Sequence, residues 1–446
     1  MLEGPTAVLR RSLSGNLLFR LPGDLLMKMA EVHGTPYFLI DEGTLRRNAR
    51  ELAAAYSGYA GNVSVAYSVK ANFLPAVLRT FWEEGLLFDV ATVEELYFLY
   101  RAVGSVERSI YTSATQTYGE FSKAMELGVN AFVVGSAGGL RNLVRAAEAA
   151  GRKVDVLIRI NPELDPPTSE RFYKTGKYGV PILDDEGEDA ISLIKYVLGQ
   201  GAARLRGFHF HVGTQVSDPS RFVRALDRLE ELLELARLEG LDLRVEVLDI
   251  GGGMPVVYEE DGVGVDYVAP RVVDRLNALA DRLGSPPDLV VESGRFLSAE
   301  AGVLVSRVLN VKRYAGYTYA FLDTGYHNLL DSVLVKQVYP VRVIPDGDGV
   351  EGRVVLAGML CDSEDVFPLG DGAELPKVEV GKLVAFGNAG AYSLVFNMPF
   401  HAQPKPPVLF RRSNGEVVVA RQRESLEELF DEEGGSTIDK IWGGAR

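Results

Sequence analysis

The run Val65-Ala-Tyr-Ser-Val-Lys70-Ala-Asn72 carries β-branched and aromatic residues and then a lysine. A strand of that composition packs into a core, and packing needs no cation at its tip. Such a lysine either snorkels to solvent or is kept for its amine, a nucleophile that forms Schiff bases with carbonyl compounds. Other apolar runs end in the same manner: on Asp89, on Arg159-Ile-Asn161, on His209-Phe-His211-Val-Gly213-Thr214, on Gly251-Gly252-Gly253, and on Glu292-Ser-Gly294-Arg295. Each has a structural reading, with Asp89 as a helix N-cap, the glycines as a tight turn and Arg295 as a surface charge. Those readings do not explain why ionisable and glycine-rich residues recur at the ends of successive runs.

The elements that would position them are regular. β-rich runs fall at Val63–Val69, Leu86–Val90, Ser109–Thr112, Ala131–Val134, Val154–Ile160, Leu205–Val212, Val245–Ile250 and Leu289–Glu292, and most intervals read as amphipathic helices. Phe222, Ala225, Leu226 and Leu229, for example, follow the i, i+3, i+4, i+7 pattern. Eight strand-helix units predict an α/β fold, a (β/α)8 TIM-type barrel, with an open doubly wound sheet as the alternative. In such a barrel the catalytic groups stand at the carboxyl ends of the strands, and phosphate is held by the loops after strands 7 and 8. From Ala301 the pattern changes to closely spaced strands with turn signals, which predicts a C-terminal all-β domain. The organisation expected is an N-terminal arm over 1–35, the barrel over 36–300, opening with the strand Tyr37–Ile40, the β domain over 301–423, and an acidic tail over 424–446.

Composition removes several classes of function. The 446 residues are 47% hydrophobic, enough for a large core, and carry a formal charge of -14, which disfavours a nucleic acid or an anionic membrane as the main partner. The single cysteine, Cys361, excludes an intramolecular disulfide, and no apolar run reaches transmembrane length. The opening residues lack a secretory pattern, so a cytoplasmic protein is expected.

His209 and His211 lie two residues apart, which on a strand places both on one face. A metal site is disfavoured, because the nearest acidic residue downstream is Asp218, beyond the strand end, and the ligand count is too low. A triple glycine lets backbone N–H groups approach a phosphate, and Arg295 could add charge-assisted contacts. An amine at Lys70, a flat ring at His211 and a carboxylate at Glu292 then fit pyridoxal phosphate. Lys70 would form the Schiff base, His211 would lie against the ring, and Glu292 would keep the pyridine nitrogen protonated.

The same residues resemble the fold-type III pyridoxal-phosphate decarboxylases, the family of diaminopimelate and ornithine decarboxylases. The resemblance runs from Tyr37 to about Asn397. It rests on Tyr67-Ser-Val-Lys70-Ala-Asn72, Phe88-Asp-Val-Ala-Thr-Val-Glu-Glu95, Arg159-Ile-Asn-Pro162, Lys177-Tyr-Gly179, His209-Phe-His-Val-Gly-Thr214, Asp249-Ile-Gly-Gly-Gly253, Glu292-Ser-Gly-Arg295, Cys361-Asp-Ser-Glu-Asp365, and Gly390-Ala-Tyr392 with Phe396-Asn397. It implies that Lys70 carries the cofactor as an internal aldimine, that Asp89 and Arg159 support the site, and that His211 stacks on the ring. Thr214, in place of a frequent serine, Gly251, Gly252, Gly253, Gly294, Arg295 and Tyr392 would contact phosphate and substrate. It also implies a homodimer with shared active sites, in which Cys361 and Asp362 arrive from the partner subunit and Cys361 returns a proton to the substrate.

The reaction implied is loss of the α-carboxylate of an amino acid. Counting from Asp323-Thr-Gly325, Asp331 and Val335 stand where diaminopimelate decarboxylases carry an arginine and a tyrosine that grip a distal carboxylate. An aspartate there would repel that carboxylate. Asp331, Asp362 and Glu364 could instead receive a cationic distal group, as in ornithine or lysine, or could be solvated loop charges. meso-Diaminopimelate and a larger conjugate of siderophore or antibiotic biosynthesis stay as alternatives, as do an amino-acid racemase and a non-catalytic relative.

Overall fold

Strands buried on both faces need unbroken apolar runs, and in the first of two units such runs close into a barrel. The computed structural model describes residues 10–164, 176–184, 188–347, 353–368 and 372–437. The first unit is built mainly from residues 45–257 and 262–297. Its strands are β1 (Val63–Ser68), β2 (Leu87–Val90), β3 (Ser109–Tyr111), β4 (Ala131–Val134), β5 (Val154–Arg159), β6 (Ala203–His209), β7 (Val247–Asp249) and β8 (Asp288–Ser293). All neighbours are parallel, and β8 closes on β1 with Leu289 opposite Val63.

Helices between the strands start where the sequence supplies a cap. Thr92 Oγ1 accepts the Glu95 N–H at 3.1 Å before Val93–Val103, and Ser136 Oγ accepts the Gly139 N–H at 3.0 Å before Ala137–Ala149. Asp189 Oδ1 accepts the Ser192 N–H at 2.7 Å before Ala190–Leu198. Each cap is worth about 1 kcal/mol.

The barrel interior holds Ala66, Ile110, Val133, Leu157 and Val290, with Leu87 and Val247 packed against them. Burying a valine, leucine or isoleucine contributes about 1.5–3 kcal/mol, so this layer is a core and not a channel. Side chains alternate along a strand, and the inward face of this layer therefore returns two residues later at the carboxyl end. Leu87 is followed in that phase by Asp89, Leu157 by Arg159, Val247 by Asp249 and Val290 by Glu292. The register sets three of the polar groups in a row across adjacent strands: Arg159 pairs with His209 and His209 with Asp249.

The second unit comprises residues 12–44, 258–261 and the described residues from 298 onward. Its long strand Gly302–Tyr314 pairs antiparallel with Tyr317–Leu322, Leu383–Phe386 and Tyr37–Asp41. Tyr37–Asp41 also runs parallel to Val408–Arg411. The boundary expected at residue 36 is therefore corrected: the segment read as an arm and the opening of the barrel is a central part of the β unit. Leu17, Leu18, Leu26, Tyr37 and Leu39 are buried there with Val303, Val305 and Leu409. The strand Val341–Ile344 pairs antiparallel with Leu383–Phe386. After Glu424, Ser425 and Glu428 form a reciprocal capping box on the helix Leu426–Glu432, and the rest of the tail from 438 lies outside the described residues.

Candidate active site

Lys70 does not end the strand itself. β1 stops at Ser68, and Lys70 sits in the single 3-10 turn Val69–Ala71. Its side chain is 50% exposed, and Nζ donates to Oδ2 of Asp89 at 3.1 Å. Asp89 is buried inside β2, and the N-cap role falls to Thr92. Glu95 Oε2 accepts the Ala91 N–H at 2.7 Å, and burial pushes its carboxyl up to about 6. Gly294, at the exit of β8, packs so closely on this turn that a Cβ there would meet the Ala71 Cβ at 2.6 Å. Arg159, at the tip of β5, places its guanidinium 4.5 Å over the Tyr178 ring.

The carboxylate of Glu292 meets a histidine, and that histidine is His209. Nε2 of His209 lies 3.2 Å from Oε1 of Glu292, with both side chains buried. Asp249 completes a buried trio whose donor atoms lie within 4.8 Å of one another. Although no acidic residue stands near His209 in sequence, the barrel brings two carboxyls to it from β7 and β8. Burial pushes the pKa of both Asp249 and Glu292 above the ordinary carboxylate range, and the charge of Glu292 pushes Asp249 up further. Lys70 and Arg159 pull Glu292 back toward the ionised form. Burial also holds His209 and His211 neutral, with Arg159 adding to the effect.

His211 stands beyond the end of β6, so strand alternation does not place it beside His209, and it joins the glycine loop instead. Its Nδ1 accepts the Gly252 N–H at 3.1 Å, which leaves the ring proton on Nε2. The glycines are required by geometry. Gly251 has φ +66° and Gly253 φ +120°, and a Cβ would come within 2.3 Å of the Phe210 carbonyl oxygen at the first and 2.7 Å of the Gly213 oxygen at the second. The Gly251 N–H donates to Asp249 Oδ1 at 2.9 Å and the Gly252 N–H to His211 Nδ1, whereas the Gly253 amide has no acceptor among the described residues. Thr214 is exposed beside this loop, and Arg295 opens the short helix Arg295–Ser298.

The remaining candidates belong to the second unit. Cys361 is exposed, and its backbone N–H donates to His401 Nδ1 at 3.4 Å. Asp362 accepts from the Tyr326 hydroxyl at 2.8 Å, and Glu364 pairs with Lys336 at 2.6 Å. Asp331 is 3% exposed at the start of the short helix Asp331–Leu334, which removes the solvated-loop reading for that residue. Tyr392 is half-buried with φ +55°, its ring 6.3 Å from that of Phe396.

Reading residue types along the chain missed His209 and Asp249 as members of the site. Their partners lie tens of residues away, and only the period-two phase shared with Glu292 points at Asp249. In the second unit it missed a buried network in which Asn328 donates to His327 Nε2 at 3.0 Å and Asn397 donates to Asn328 at 2.8 Å.

A barrel that gathers an amine, a buried acid beside it, a neutral imidazole on a glycine loop and a carboxylate at the last strand is the binding fold of a pyridoxal enzyme. Buried polar atoms at this end, Asp89 Oδ1, His209 Nδ1 and Asp249 Oδ2, have no partner among the described residues, which fits a polar ligand. Residues 42–299 match the family model "pyridoxal-dependent decarboxylase, pyridoxal binding domain", and the chain belongs to that family of pyridoxal-phosphate-dependent amino-acid decarboxylases. The diaminopimelate decarboxylase of Zymomonas mobilis is 28% identical over 416 residues, covering 92% of this chain and 94% of the relative. Among solved structures, diaminopimelate decarboxylase from M. jannaschii aligns with a TM-score of 0.83 at 26% identity over 91% of this chain and 94% of the other. Lysine/ornithine decarboxylase from Vibrio vulnificus, solved with putrescine, aligns at 0.74 with 25% identity over 88% and 98%. The cofactor is pyridoxal phosphate. No helix among the described residues is long and apolar enough to cross a membrane.

Proposed function

We propose that this enzyme removes the α-carboxylate of a diamino acid as carbon dioxide. The observation that carries the reading is the half-exposed Lys70 amine, held 3.1 Å from buried Asp89 at the barrel end that also bears the glycine loop and Glu292. Lys70 would hold the cofactor's aldehyde carbon, the Gly253 amide with Arg295 and Thr214 its phosphate, and Glu292 its ring nitrogen. When bound, pyridoxal phosphate supplies the conjugated ring that accepts the electron pair left by carbon dioxide.

The chain's own groups supply orientation and proton control. Asp89 fixes the direction of the Lys70 amine. His211, anchored through Nδ1 to Gly252, offers a neutral flat ring that cannot repel a cationic ring nitrogen. Cys361 is the candidate donor of the proton returned to Cα, a role its exposed thiol suits. In this reading Cys361 and Asp362 serve the site of a second copy, as the family resemblance implies, and the enzyme works as a cytoplasmic homodimer.

Two kinds of diamino-acid substrate are favoured by different observations. Relatedness to diaminopimelate decarboxylases supports meso-diaminopimelate. Asp331, buried where the resemblance expects an arginine, supports a substrate whose distal end is a cation alone, such as lysine or ornithine. Carbon dioxide release by the pyridoxal-phosphate-loaded enzyme from meso-diaminopimelate, L- and D-lysine and L- and D-ornithine separates them. Release from meso-diaminopimelate alone removes the weight placed on Asp331, and release from none of the panel removes the diamino-acid reading.

A further inference from the structure

Glu292 and Asp249 are two carboxyls buried together at the polar end of the barrel, and two such buried charges repel strongly enough that the pair holds close to one. Which residue carries it matters, because a carboxylate opposite the ring nitrogen keeps that nitrogen protonated, whereas a carboxylic acid does not. The surroundings are asymmetric. Asp249 Oδ1 receives only the Gly251 amide, and Oδ2 has no hydrogen-bond partner among the described residues. Glu292 Oε1 faces His209 Nε2 at 3.2 Å. Nδ1 of His209 is buried with no partner among the described residues. A proton on Nδ1 would be a buried orphan donor, while a proton on Nε2 points at the Glu292 oxygen, so the imidazole donates to Glu292. His209 is itself fixed in the row Arg159–His209–Asp249 by the strand register.

We infer that His209 is a positioning residue for the decarboxylase: its Nε2–H holds one oxygen of Glu292 and draws the pair's single negative charge onto Glu292, leaving the other oxygen for the cofactor's ring nitrogen. Asp249 then serves the glycine loop, through Gly251, in its uncharged form. This rests on the reading that Glu292 meets the ring nitrogen.

The test compares His209→Gln with His209→Asn in the pyridoxal-phosphate-loaded enzyme. The glutamine amide nitrogen falls near the position of Nε2 and can donate to Glu292; the asparagine amide is one carbon short and cannot. Both replace the imidazole by a buried amide, so a merely structural role would affect them alike. The visible spectrum of the bound cofactor, its dissociation constant, and kcat and KM are measured for both. For His209→Asn the expected results are a spectrum shifted toward that of Glu292→Gln, weaker cofactor binding, and kcat lower by about 10- to 100-fold with KM little changed, the range for losing a hydrogen bond to a charged group. His209→Gln should restore the wild-type spectrum and most of kcat. If Glu292→Gln alters the spectrum and His209→Asn matches wild type, the positioning role is overturned while the Glu292 reading stands. If Glu292→Gln leaves the spectrum unchanged, the reading itself falls. If both His209 variants lose stability and activity equally, His209 is a packing residue and the inference fails.

Discussion

The Lys70 Nζ atom lies 3.1 Å from Asp89 Oδ2, and the two residues differ sharply in exposure: half of the lysine side chain meets solvent, whereas the aspartate is buried. The buried partner is fixed within β2 and so directs the exposed one. Asp89→Asn keeps the shape and removes the charge. Because Lys70 is half-exposed, part of the interaction is screened, and the expected loss in kcat/KM is about tenfold with cofactor binding retained. Lys70→Ala should abolish both carbon dioxide release and the wild-type visible absorbance. Steady-state rates and a spectrum of each variant check this.

Gly251 and Gly252 make a paired prediction. A side chain at Gly251 requires a left-handed φ of +66° and puts Cβ 2.3 Å from a backbone oxygen, whereas at Gly252 the nearest atom, the backbone carbonyl oxygen of Glu292, is 3.3 Å away. Left-handed backbone costs an alanine about 1 kcal/mol before the clash is counted, and the clash is with main chain that cannot swing aside. Gly251→Ala should therefore lower the melting temperature by several degrees and weaken cofactor binding, and Gly252→Ala should do markedly less of both. Thermal unfolding with and without added pyridoxal phosphate measures the difference.

What was legible in the sequence followed local pattern. Unbroken apolar runs separated by helical periodicity specify parallel strands buried on both faces, which is why β1 to β8 stand where those runs lie. The polar strand ends were legible for the same reason, since Leu157 and Arg159, or Val290 and Glu292, share one face by alternation. Contacts closed by the barrel were not. His209 and Glu292 are separated by two strands and two helices, and nothing near either residue announces the other. Tyr37–Asp41 misled for a related cause: a strand followed by a helix looks the same whether it enters the barrel or, as here, lies between Gly302–Val305 and Val408–Arg411.

His327 should give the protein an acid-sensitive stability. It is buried, Nε2 accepts from the Asn328 amide at 3.0 Å, and burial, with His401 nearby adding to it, lowers its pKa from 6.5 to about 4. Between those values the unfolded chain binds a proton that the folded protein does not, so stability falls as pH drops from 6.5 to 4 and is level above. The full difference is of the order of 3 kcal/mol. Denaturant unfolding at several pH values should show that slope in the wild type and a flatter one in His327→Gln.

Asp365 fixes the segment that carries Cys361. Its Oδ1 accepts the Tyr326 N–H and its Oδ2 the Leu360 N–H, both at 2.8 Å, and it is buried against Gly325 and Gly358, where a Cβ would stand 2.6 Å and 2.0 Å from its oxygens. Asp365→Asn replaces one acceptor by an NH2 group, so one of the two backbone donors faces a donor, at a cost of about 1–3 kcal/mol. The loss falls on the loop, since Leu360 immediately precedes the thiol. Cys361 is the sole cysteine, and its labelling by a maleimide therefore reports on this segment alone. The variant should label several-fold faster and lose about tenfold in kcat through misplacement of the thiol, while the visible spectrum of the cofactor, held by barrel residues, stays as in the wild type. Unchanged labelling with a full loss of activity would place the defect elsewhere and remove Asp365 as the support of Cys361.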